Sequence, residues 1–491
     1  MKSVHRILAM LLCIGSLQIL AACKAAAPEQ ETTAPAPENT EQQGNVPAQS
    51  VNPRLLISDD LPSVTFNGDD FIIMGCYPSA QANIAPDDAN GENVNDALYN
   101  RNLEIANRFD VGVKFTTGGV SHHDAAALAV EQSIMAHEND AFDLIMFHVV
   151  ASSGNAVKGL YRNWYDIDHV NFDKPWWAES NKEDLSVNGR CFLAVGDVSL
   201  QALGNTYCIV YDKDALKNKE EESLYKVVSD GRWTMDYLMS LSERFYSDLN
   251  GNGEADPDDY FGFAADSGSN LSTFFWSCGN KIFRKNSEGE MEFSYYSENL
   301  VDTFNQCLRL VKASGVKADH SPGQEMETFR NQHALAVATT IGALRNQLGD
   351  FEHEYGVIPY PKLNEAQSRY YSMADGSHEV LSVGASAQDL AFIGTITEAL
   401  CAETYKTVLP VYYDECLKKR YASSPEDADM IELCVASCVY DWGYVYDNWK
   451  GIAFVFGAQV ASGGDITSAY EKQKGAAQAY YRKQVMPVFT E

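Results

Sequence analysis

The sequence predicts an α/β protein built from two lobes or domains. The chain has 491 residues, which is more than one compact core usually holds. Apolar residues make up 45 % of the chain and aromatic residues 11 %, enough to fill a large core. Short buried-strand patterns alternate with helical patterns early in the chain, and this alternation is typical of a parallel sheet covered by helices.

The individual elements follow from apolar spacing and from the residues that bound each segment. Strand patterns have short apolar or alternating runs between turn residues, and they occupy residues 71–75, 111–117, 142–147, 191–197, 208–216 and 334–340. Helical patterns have apolar residues three or four positions apart, and they occupy residues 95–109, 124–138, 234–247, 299–314, 387–405 and 425–438. The chain contains no internal repeat.

The charge of the chain excludes several classes of partner. It carries 37 Lys and Arg residues against 68 Asp and Glu residues, a formal net charge of −31. Such a surface repels phosphate backbones, so nucleic acid is not expected as a partner. It also repels anionic lipid headgroups, so any attachment to a membrane must come from a separate anchor.

The N-terminus supplies a candidate for that anchor. Residues 1–22 have a basic start, an apolar run to Leu20 and small residues just before Cys23. This segment resembles a bacterial lipoprotein signal peptide in which LAAC is the lipobox. The resemblance implies cleavage before Cys23, lipidation of its thiol, and anchoring on the extracytoplasmic face of the cell membrane. The alternative is an ordinary secretion signal with a chance cysteine.

A low-complexity segment separates this signal from the rest of the chain. Residues 23–60 are rich in Ala, Pro, Glu, Thr and Gln and contain no aromatic residue. Such a composition cannot bury enough apolar surface to order itself. The sequence therefore predicts a flexible tether over this segment.

An acidic turn in the middle of the chain has the pattern of a calcium-binding loop. Oxygen-bearing residues stand at positions 1, 3, 5, 7, 9 and 12 of the EF-hand loop, namely Asp248, Asn250, Asn252, Glu254, Asp256 and Asp259. Gly253 allows the sharp bend that turns the oxygens inward. A helix precedes the loop but a strand follows it, so we expect a structural Ca²⁺ site on half an EF-hand. The alternative is a solvated acidic turn.

Several longer stretches match segments of one protein family in chain order. They are KPWW (174–177), YCIVYDKDALK (207–217), GRWTMDYLMSLSERFYSDLNGNGEADPDDYFGF (231–263), FRNQHALAVATT (329–340), YGVIPYPKLNEAQSRYYS (355–372) and EALCAETYKTVLPVYYDECLKKRY (398–421). Together they resemble the extracellular solute-binding proteins of bacterial ABC importers, in the carbohydrate-binding, maltose-binding-protein-like branch. One departure is His333, where the family often has glycine.

The resemblance implies a periplasmic-binding-protein-like clamshell. Two α/β lobes, joined by hinge-crossing segments, close on a solute because the ligand touches both lobes only in the closed form. The protein is then a monomer that delivers a mono- or oligosaccharide to ABC permease subunits. The expected boundaries are residues 61–205 and 335–395 for lobe 1, and residues 206–334 and 396–491 for lobe 2.

Candidate ligand-binding residues follow from strand ends and aromatic content. Ligands of open α/β sheets lie beyond the carboxyl ends of the strands, and Tyr77 and His148 follow two of the predicted strands. Aromatic faces pack against the C–H surface of a sugar, whereas its hydroxyl groups need polar partners. The further candidates chosen on these grounds are Trp276, Tyr371, Asp375 and Trp442. For each of them the alternative is packing inside a lobe.

Three common catalytic motifs do not occur in the chain. HExxH, GxSxG and Walker patterns are absent, and the carboxylates are too many to select a glycosidase pair. His122, His123 and His137 allow a metal site, with solvated histidines as the alternative. We therefore expect no enzymatic activity. The alternative function is a surface-anchored glycan-binding or glycan-active lipoprotein that is not coupled to transport.

Overall fold

Two β-sheets with helices packed around them form the body of the protein in a computed structural model. The structure describes residues 52–138, 141–319, 321–417, 425–447 and 451–490. The strands are β1 (Asp69–Met74), β2 (Val111–Thr116), β3 (Leu144–His148), β4 (Tyr207–Asp212), β5 (Phe261–Asp266), β6 (Phe283–Lys285), β7 (Met291–Phe293), β8 (Val316–Asp319), β9 (Ala334–Thr340), β10 (Tyr355–Ile358), β11 (Ser372–Met373), β12 (Glu379–Ser382) and β13 (Cys438–Val439).

The α-helices alternate with these strands along most of the chain. They are α1 (Gln81–Ile84), α2 (Asn93–Phe109), α3 (His123–Ala136), α4 (Val149–Val157), α5 (Leu200–Gly204), α6 (Lys213–Asn218), α7 (Leu224–Ser229), α8 (Met235–Phe245), α9 (Ser269–Ser277), α10 (Glu298–Leu310), α11 (Gln324–Arg330), α12 (Ile341–Gln347), α13 (Leu390–Glu403), α14 (Leu409–Leu417), α15 (Pro425–Ala436), α16 (Trp442–Val445), α17 (Val455–Ser462) and α18 (Ile466–Tyr480). Among the helices of the described residues, none is both long enough and apolar enough to cross a membrane.

The first sheet has the strand order β12-β3-β1-β2. Strand β1 is parallel to both β2 and β3, and β12 runs antiparallel along the other side of β3. Alternate side chains of β1, such as Phe71 and Ile73, are fully buried, and α2 packs against β2. The predicted strand and helix alternation of this region is confirmed.

The second sheet has the strand order β10-β4-β9-β5-β8. Strands β9, β5 and β8 are parallel, whereas β4 runs antiparallel to both of its neighbours. Helices α8 and α11 pack against β5, and α15 packs against β10. This sheet corrects the expected boundary at residue 335. Residues 335–340 of β9 and all of β10 fall within the segment assigned to lobe 1. Strand β9 nevertheless pairs with β4 and β5, and β10 pairs with β4.

Among the described residues, the chain passes from the first sheet to the second between β3 and β4, and back between β10 and β12. It passes again between α13, which packs on α2, and α15, which packs on β10. The predicted strand over residues 191–197 lies in the first crossing and is corrected. It makes only isolated bridges, from Ala194 to Leu381 of β12 and from Gly196 to Trp177.

The start of the body also differs from the sequence prediction, which extended the tether to residue 60. Arg54 pairs with Glu432, and its guanidinium lies 4.3 Å from the ring centroid of Tyr405. Further along, Arg108 Nη2 donates to Asp59 Oδ1 at 3.0 Å. Residues 52–60 therefore pack on the folded body. The signal peptide, Cys23 and the first part of the tether lie outside the described residues.

Candidate functional site

A polar cavity lies where strands of both sheets end. Its volume is about 850 Å³. The loop after β1, α5, α12, α14 and the first residue of β12 enclose it, and its polar lining is Tyr77, Ser79, Asn83, Glu92, Gln201, Asn205, Arg345, Asn346, Glu379, Tyr412 and Glu415. Helix α12 directly follows β9, and β1 leads directly into the loop. The cavity thus occupies the position in which open α/β sheets bind their ligands.

Two glycines let the helices at the base of this cavity approach each other. A Cβ atom on Gly342 would lie 3.1 Å from the carbonyl oxygen of Gly204. A Cβ atom on Gly204 would lie 3.0 Å from the Tyr412 hydroxyl and 3.6 Å from the Cα atom of Gly342. Helices α5 and α12 therefore pack backbone to backbone, and larger side chains at these positions would push them apart.

Arg345 connects three walls of the cavity. Its guanidinium pairs with Glu92 at the start of α2, and its Nε atom lies 3.0 Å from Glu415 Oε2 on α14. Burial opposes the charge, but the two carboxylates outweigh burial and raise the pKa of Arg345. The guanidinium therefore holds the walls together, and its positive charge is already neutralised by the two carboxylates.

Glu379 is a buried carboxyl group in the cavity wall. It is 4 % exposed, and Ser199 Oγ donates to its Oε2 atom at 2.5 Å. Burial raises the pKa of Glu379 to about 7, and the bond from Ser199 only partly opposes this shift. Sequence reasoning missed this residue. No local sequence signal marks it, because its place beside His148 comes from the antiparallel pairing of β12 with β3.

A row of imidazole rings borders the cavity on the side of the first sheet. The Tyr77 hydroxyl lies 2.9 Å from His123 Nδ1, and the His123 ring stacks on His148 with centroids 4.5 Å apart. The backbone N–H of Val150 donates to His148 Nδ1 at 3.2 Å. Burial, aided by His123 and His378, lowers the pKa of His148 to about 4. The predicted residues Tyr77 and His148 therefore lie together, with His148 neutral at physiological pH.

Asp375 lies next to this group and is bound by protein donors. Its Oδ2 atom accepts from the Tyr207 hydroxyl at 2.8 Å, and its Oδ1 atom accepts from the Ser377 hydroxyl at 2.6 Å. The backbone N–H of Asp375 donates to the carbonyl oxygen of the cavity residue Asn205 at 2.8 Å. Burial opposes ionisation of the carboxyl group, but the hydrogen bonds from Ser377 and Tyr207 outweigh burial and lower the pKa of Asp375.

The structure places the two predicted tryptophans in packed interiors. Trp276 is 2 % exposed, and its indole N–H donates to Asp441 at 2.9 Å. Trp442 is 1 % exposed and packs against Phe283 and Phe489. Their ring faces are covered by protein, so neither ring can stack on a solute. This corrects both predictions in favour of the packing alternative.

Tyr371 lines a different cavity. This second cavity has a volume of about 320 Å³ and is also lined by Trp177, Lys281 and Tyr405. The guanidinium of Arg369 lies 5.2 Å from the centroid of the Tyr371 ring. Tyr371 is therefore not part of the lining of the cavity at the strand ends, although only β11 and Ala374 separate it from Asp375.

The predicted calcium loop folds into a turn held by its own side chains. The amides of Asn250 and Asn252 both reach Asp256 Oδ2, at 2.9 and 2.6 Å. Asp248 accepts from the backbone N–H of Gly251 and Gly253 at 2.6 and 2.8 Å. The side chains at positions 3, 5 and 9 thus lie together, with the amide nitrogens of Asn250 and Asn252 facing Asp256 and their amide oxygens accepting from the backbone N–H groups of Asn252 and Glu254. Hydrogen bonds from Asn250, the backbone of Asp258 and Asn252 lower the pKa of Asp256, so it is ionised at neutral pH.

The ends of the calcium loop are fixed more firmly than its exposed centre. Ser247 and Tyr260 exchange two backbone hydrogen bonds of 2.9 and 3.0 Å. Asp259 is fully buried and accepts from the backbone N–H of Leu249 at 3.0 Å. Glu254 is exposed, and its expected contribution comes from the backbone carbonyl. The residues present fit a Ca²⁺ ion by donor type and order, with Asp259 engaged in closing the loop.

A second group of possible metal ligands lies at the start of α3. One donor atom each from His122, His123 and Asp124 lies within 4.8 Å of the others. His122 and Asp124 are exposed. His137, the third histidine considered from the sequence, instead ends α3 in a left-handed conformation with φ of 56°.

Comparison with known proteins gives a clear result for the fold. No protein-family profile matches the sequence, and no curated protein matches it. A solved cyclo/maltodextrin-binding protein complexed with maltotetraose is similar to this chain with a TM-score of 0.56 at 12 % identity, covering 85 % of this chain and 98 % of that one. The chain has the fold of maltose-binding proteins.

Two further solved structures share this fold. Maltose-bound MalE3 of T. maritima has a TM-score of 0.51 at 14 % identity, covering 84 % of this chain and 99 % of its own. The ABC substrate-binding protein Lmo0181 from Listeria monocytogenes, in complex with cycloalternan, has a TM-score of 0.51 at 12 % identity, covering 85 % of this chain and 98 % of its own. The predicted two-lobed, periplasmic-binding-protein-like fold is confirmed.

Proposed function

We propose that this protein is a solute-binding protein that captures a carbohydrate between its lobes and delivers it to an ABC permease. It catalyses no reaction itself. The proposal is supported by the maltose-binding-protein fold together with the nature of the solved neighbours, which are binding proteins in complex with oligosaccharides. The observation that carries it for this chain is the cavity of about 850 Å³ at the strand ends of both sheets.

The chemistry of the cavity lining fits a polyhydroxylated ligand. Amides, carboxylates and hydroxyls can each bond to sugar hydroxyl groups, and Tyr77 and Tyr412 provide aromatic carbon for the C–H face. A volume of about 850 Å³ accommodates a short oligosaccharide as well as a monosaccharide. Because both sheets contribute to the lining, a ligand bound there favours the closed arrangement of the lobes.

Calorimetry with a panel of mono- and oligosaccharides tests this function. We expect heat of binding from at least one saccharide, and a rise in melting temperature with the same ligand. Binding of a peptide or another solute, with no response to any saccharide, would contradict the carbohydrate assignment. Release of hydrolysis products from a bound oligosaccharide would instead support the alternative, a glycan-active surface protein. Genes for two permease subunits beside this one would favour the importer.

We further propose that Cys23 carries a lipid that holds the protein at the extracytoplasmic face of the cell membrane. The support is the order of basic, apolar and small residues before Cys23. Expression of the complete chain and of Cys23→Ala tests the anchor. We expect the unchanged chain in the detergent-soluble membrane fraction and the variant in the soluble fraction. Equal partitioning of both proteins would contradict lipidation.

A structural Ca²⁺ ion in the loop from Asp248 to Asp259 completes the proposal. The support is the match of the loop to the EF-hand pattern of oxygen-bearing residues, three of which, Asn250, Asn252 and Asp256, lie within hydrogen-bond distance of one another. The loop precedes β5, whereas the cavity lies at the other end of the second sheet. The ion would therefore stabilise the lobe without touching the ligand.

A further inference from the structure

One carboxylate oxygen in the cavity wall has no protein partner. Ser199 binds Glu379 Oε2, whereas Glu379 Oε1 has no hydrogen-bond partner among the described residues. The side chain is nonetheless almost fully buried and forms part of the cavity lining. Burial raises the pKa of Glu379 to about 7, so a donor that brings a positive charge to this carboxyl group would favour its ionised form. A ligand in the cavity is the available partner for this oxygen.

The remaining charges of the cavity do not compensate Glu379. The charged residues of the described lining are three carboxylates and one guanidinium. The guanidinium belongs to Arg345, which is already paired with Glu92 and Glu415. The imidazole of His148, at the neighbouring strand end, is held neutral by burial, which lowers its pKa to about 4. The cavity therefore has an excess of negative charge and offers no unpaired cation.

This charge distribution discriminates between saccharides. A uronic acid or a sugar phosphate would bring a negative charge toward Glu379 and find no cation to bind it. An ammonium group would donate a charge-assisted hydrogen bond to Glu379 Oε1, and such bonds are stronger than neutral ones. The net charge of −31 on the whole chain attracts a cationic ligand and repels an anionic one from a distance.

We propose that the cavity selects a saccharide that carries a free amino group, with Glu379 as the residue that binds the ammonium. This inference rests on the proposed function, since it specifies which carbohydrates the same cavity takes. Glu379 acts on specificity, whereas the amides and tyrosines around it contact the hydroxyl groups and ring faces that all saccharides share.

Matched sugar pairs test the selection. Calorimetry at pH 7 compares each hexose with its 2-amino-2-deoxy counterpart, for glucose, galactose and mannose, and compares cellotetraose with the chitosan tetrasaccharide. The members of each pair differ only in hydroxyl against ammonium at carbon 2. We expect the amino member of the pair that binds to be at least about tenfold tighter, which corresponds to about 1.4 kcal/mol. Raising the salt concentration should weaken the amino member more than the neutral one.

The variant Glu379→Gln connects this preference to the residue. It keeps the shape of the side chain and a partner for Ser199 but removes the charge, so we expect the two members of the pair to bind equally. Glu104→Gln on the exposed face of α2 removes the same charge elsewhere and should leave the preference intact. Thermal melts of both variants establish that they are folded. The comparison of ligands in the unchanged protein needs no variant and stands if Glu379→Gln fails to fold.

The outcomes separate this inference from the proposed function. If neutral saccharides bind as tightly as their amino counterparts, or if Glu379→Gln keeps the preference, the amino selection is wrong while the carbohydrate function stands. Tightest binding of an oligogalacturonide would likewise overturn the selection alone. If no saccharide of either kind binds, the proposed function fails and this inference fails with it.

Discussion

The cavity at the strand ends and the aromatic cluster near the C-terminus differ in what surrounds their aromatic rings. In the aromatic cluster, Trp442 packs at centroid distances of 5.0 Å from Phe283, 5.7 Å from Tyr481 and 5.6 Å from Phe489. In the cavity, Tyr77 instead has His123 and polar lining residues around it. Ring faces in the cluster bury one another. In the cavity, polar side chains that are hydrogen-bonded or ion-paired to other protein groups leave the space between them open.

The comparison shows that aromatic content alone does not identify a sugar site. Apolar rings that can reach each other close the space between them, since each buried ring contributes free energy of folding. A cavity persists where charged and polar groups are held in place by other protein groups, as Arg345 is by Glu92 and Glu415. Substitutions in the cluster should therefore change stability, and substitutions in the cavity should change binding or its dependence on charge.

The largest effect is expected for Trp442→Ala. Truncating this buried ring leaves a cavity in the aromatic cluster, so the free energy of unfolding should fall by about 3 to 5 kcal/mol. Saccharide affinity of the protein that remains folded should stay unchanged. Urea denaturation followed by circular dichroism measures the loss, with Tyr165→Ala as a control because Tyr165 is 48 % exposed. A selective loss of affinity in a stable Trp442→Ala protein would restore Trp442 as a ligand residue.

A somewhat smaller effect is expected for the pH dependence of Glu379→Gln in the absence of ligand. The pKa of Glu379 in the folded protein is about 7, above its ordinary value of 4.5. Its contribution to stability is therefore fully present below pH 4.5 and is lost as the pH rises through 7. A glutamine at this position does not titrate, so the variant does not lose this stability as the pH rises. Relative to the unchanged protein, the variant should gain on the order of 2 kcal/mol between pH 5 and pH 8.

The groups that face Glu379 keep one protonation state over this range. Burial, together with the Glu379 charge, raises the pKa of Cys76 to about 11, and burial lowers those of His148 and His378 to about 4. Ser199 does not titrate. Urea denaturation of Glu379→Gln and Glu104→Gln at each pH measures the difference, and the second variant should follow the unchanged protein. If the free energy of unfolding depends on pH in the same way for Glu379→Gln and the unchanged protein, the pKa of Glu379 is not raised in the folded state.

Local patterns predicted the three parallel strands of the first sheet because turn residues bound each of them, but they did not predict β12. The apolar runs of β1 and β3 lie between turn residues, and their parallel pairing follows from the helices between them. The same reasoning failed for residues 191–197 because burial in a crossing segment gives the same apolar run, although the segment makes only isolated bridges. It also misplaced β9 because an apolar run does not specify which sheet it joins.

Only those residues of the candidate site that directly follow a strand could be predicted from the sequence. Tyr77 and His148 follow directly from the rule that ligands lie beyond the carboxyl ends of strands. Glu379 and Arg345 meet Tyr77 only through long-range folding, and nothing in their local sequence distinguishes them from other charged residues. Trp276 and Trp442 were chosen by residue type, which does not tell a covered ring from an available one.

A binding effect of about tenfold, or about 1.4 kcal/mol, is expected for Tyr77→Ala. Its ring is half-buried at the cavity wall, so its removal takes away contact with the ligand while costing little stability. Calorimetry with the best saccharide measures the change. Tyr371→Ala is the matched control, since this half-buried tyrosine lines the other cavity and should leave affinity unchanged. Equal losses for both variants would mean that the two cavities do not differ in function.

The smallest effect is expected at the calcium loop, which lies at the opposite end of the second sheet from the cavity. Removing Ca²⁺ with a chelator should lower the melting temperature by a few degrees, because an ion that binds only the folded state stabilises it in proportion to its affinity. Asp256→Asn should abolish this response, since it removes the charge on which Asn250 and Asn252 converge. Saccharide affinity should change by less than about twofold, because β5 separates the loop from the lining residues. A melting temperature that is insensitive to chelator would contradict an ion in the loop, and a large loss of affinity would mean that the two ends of the sheet are coupled.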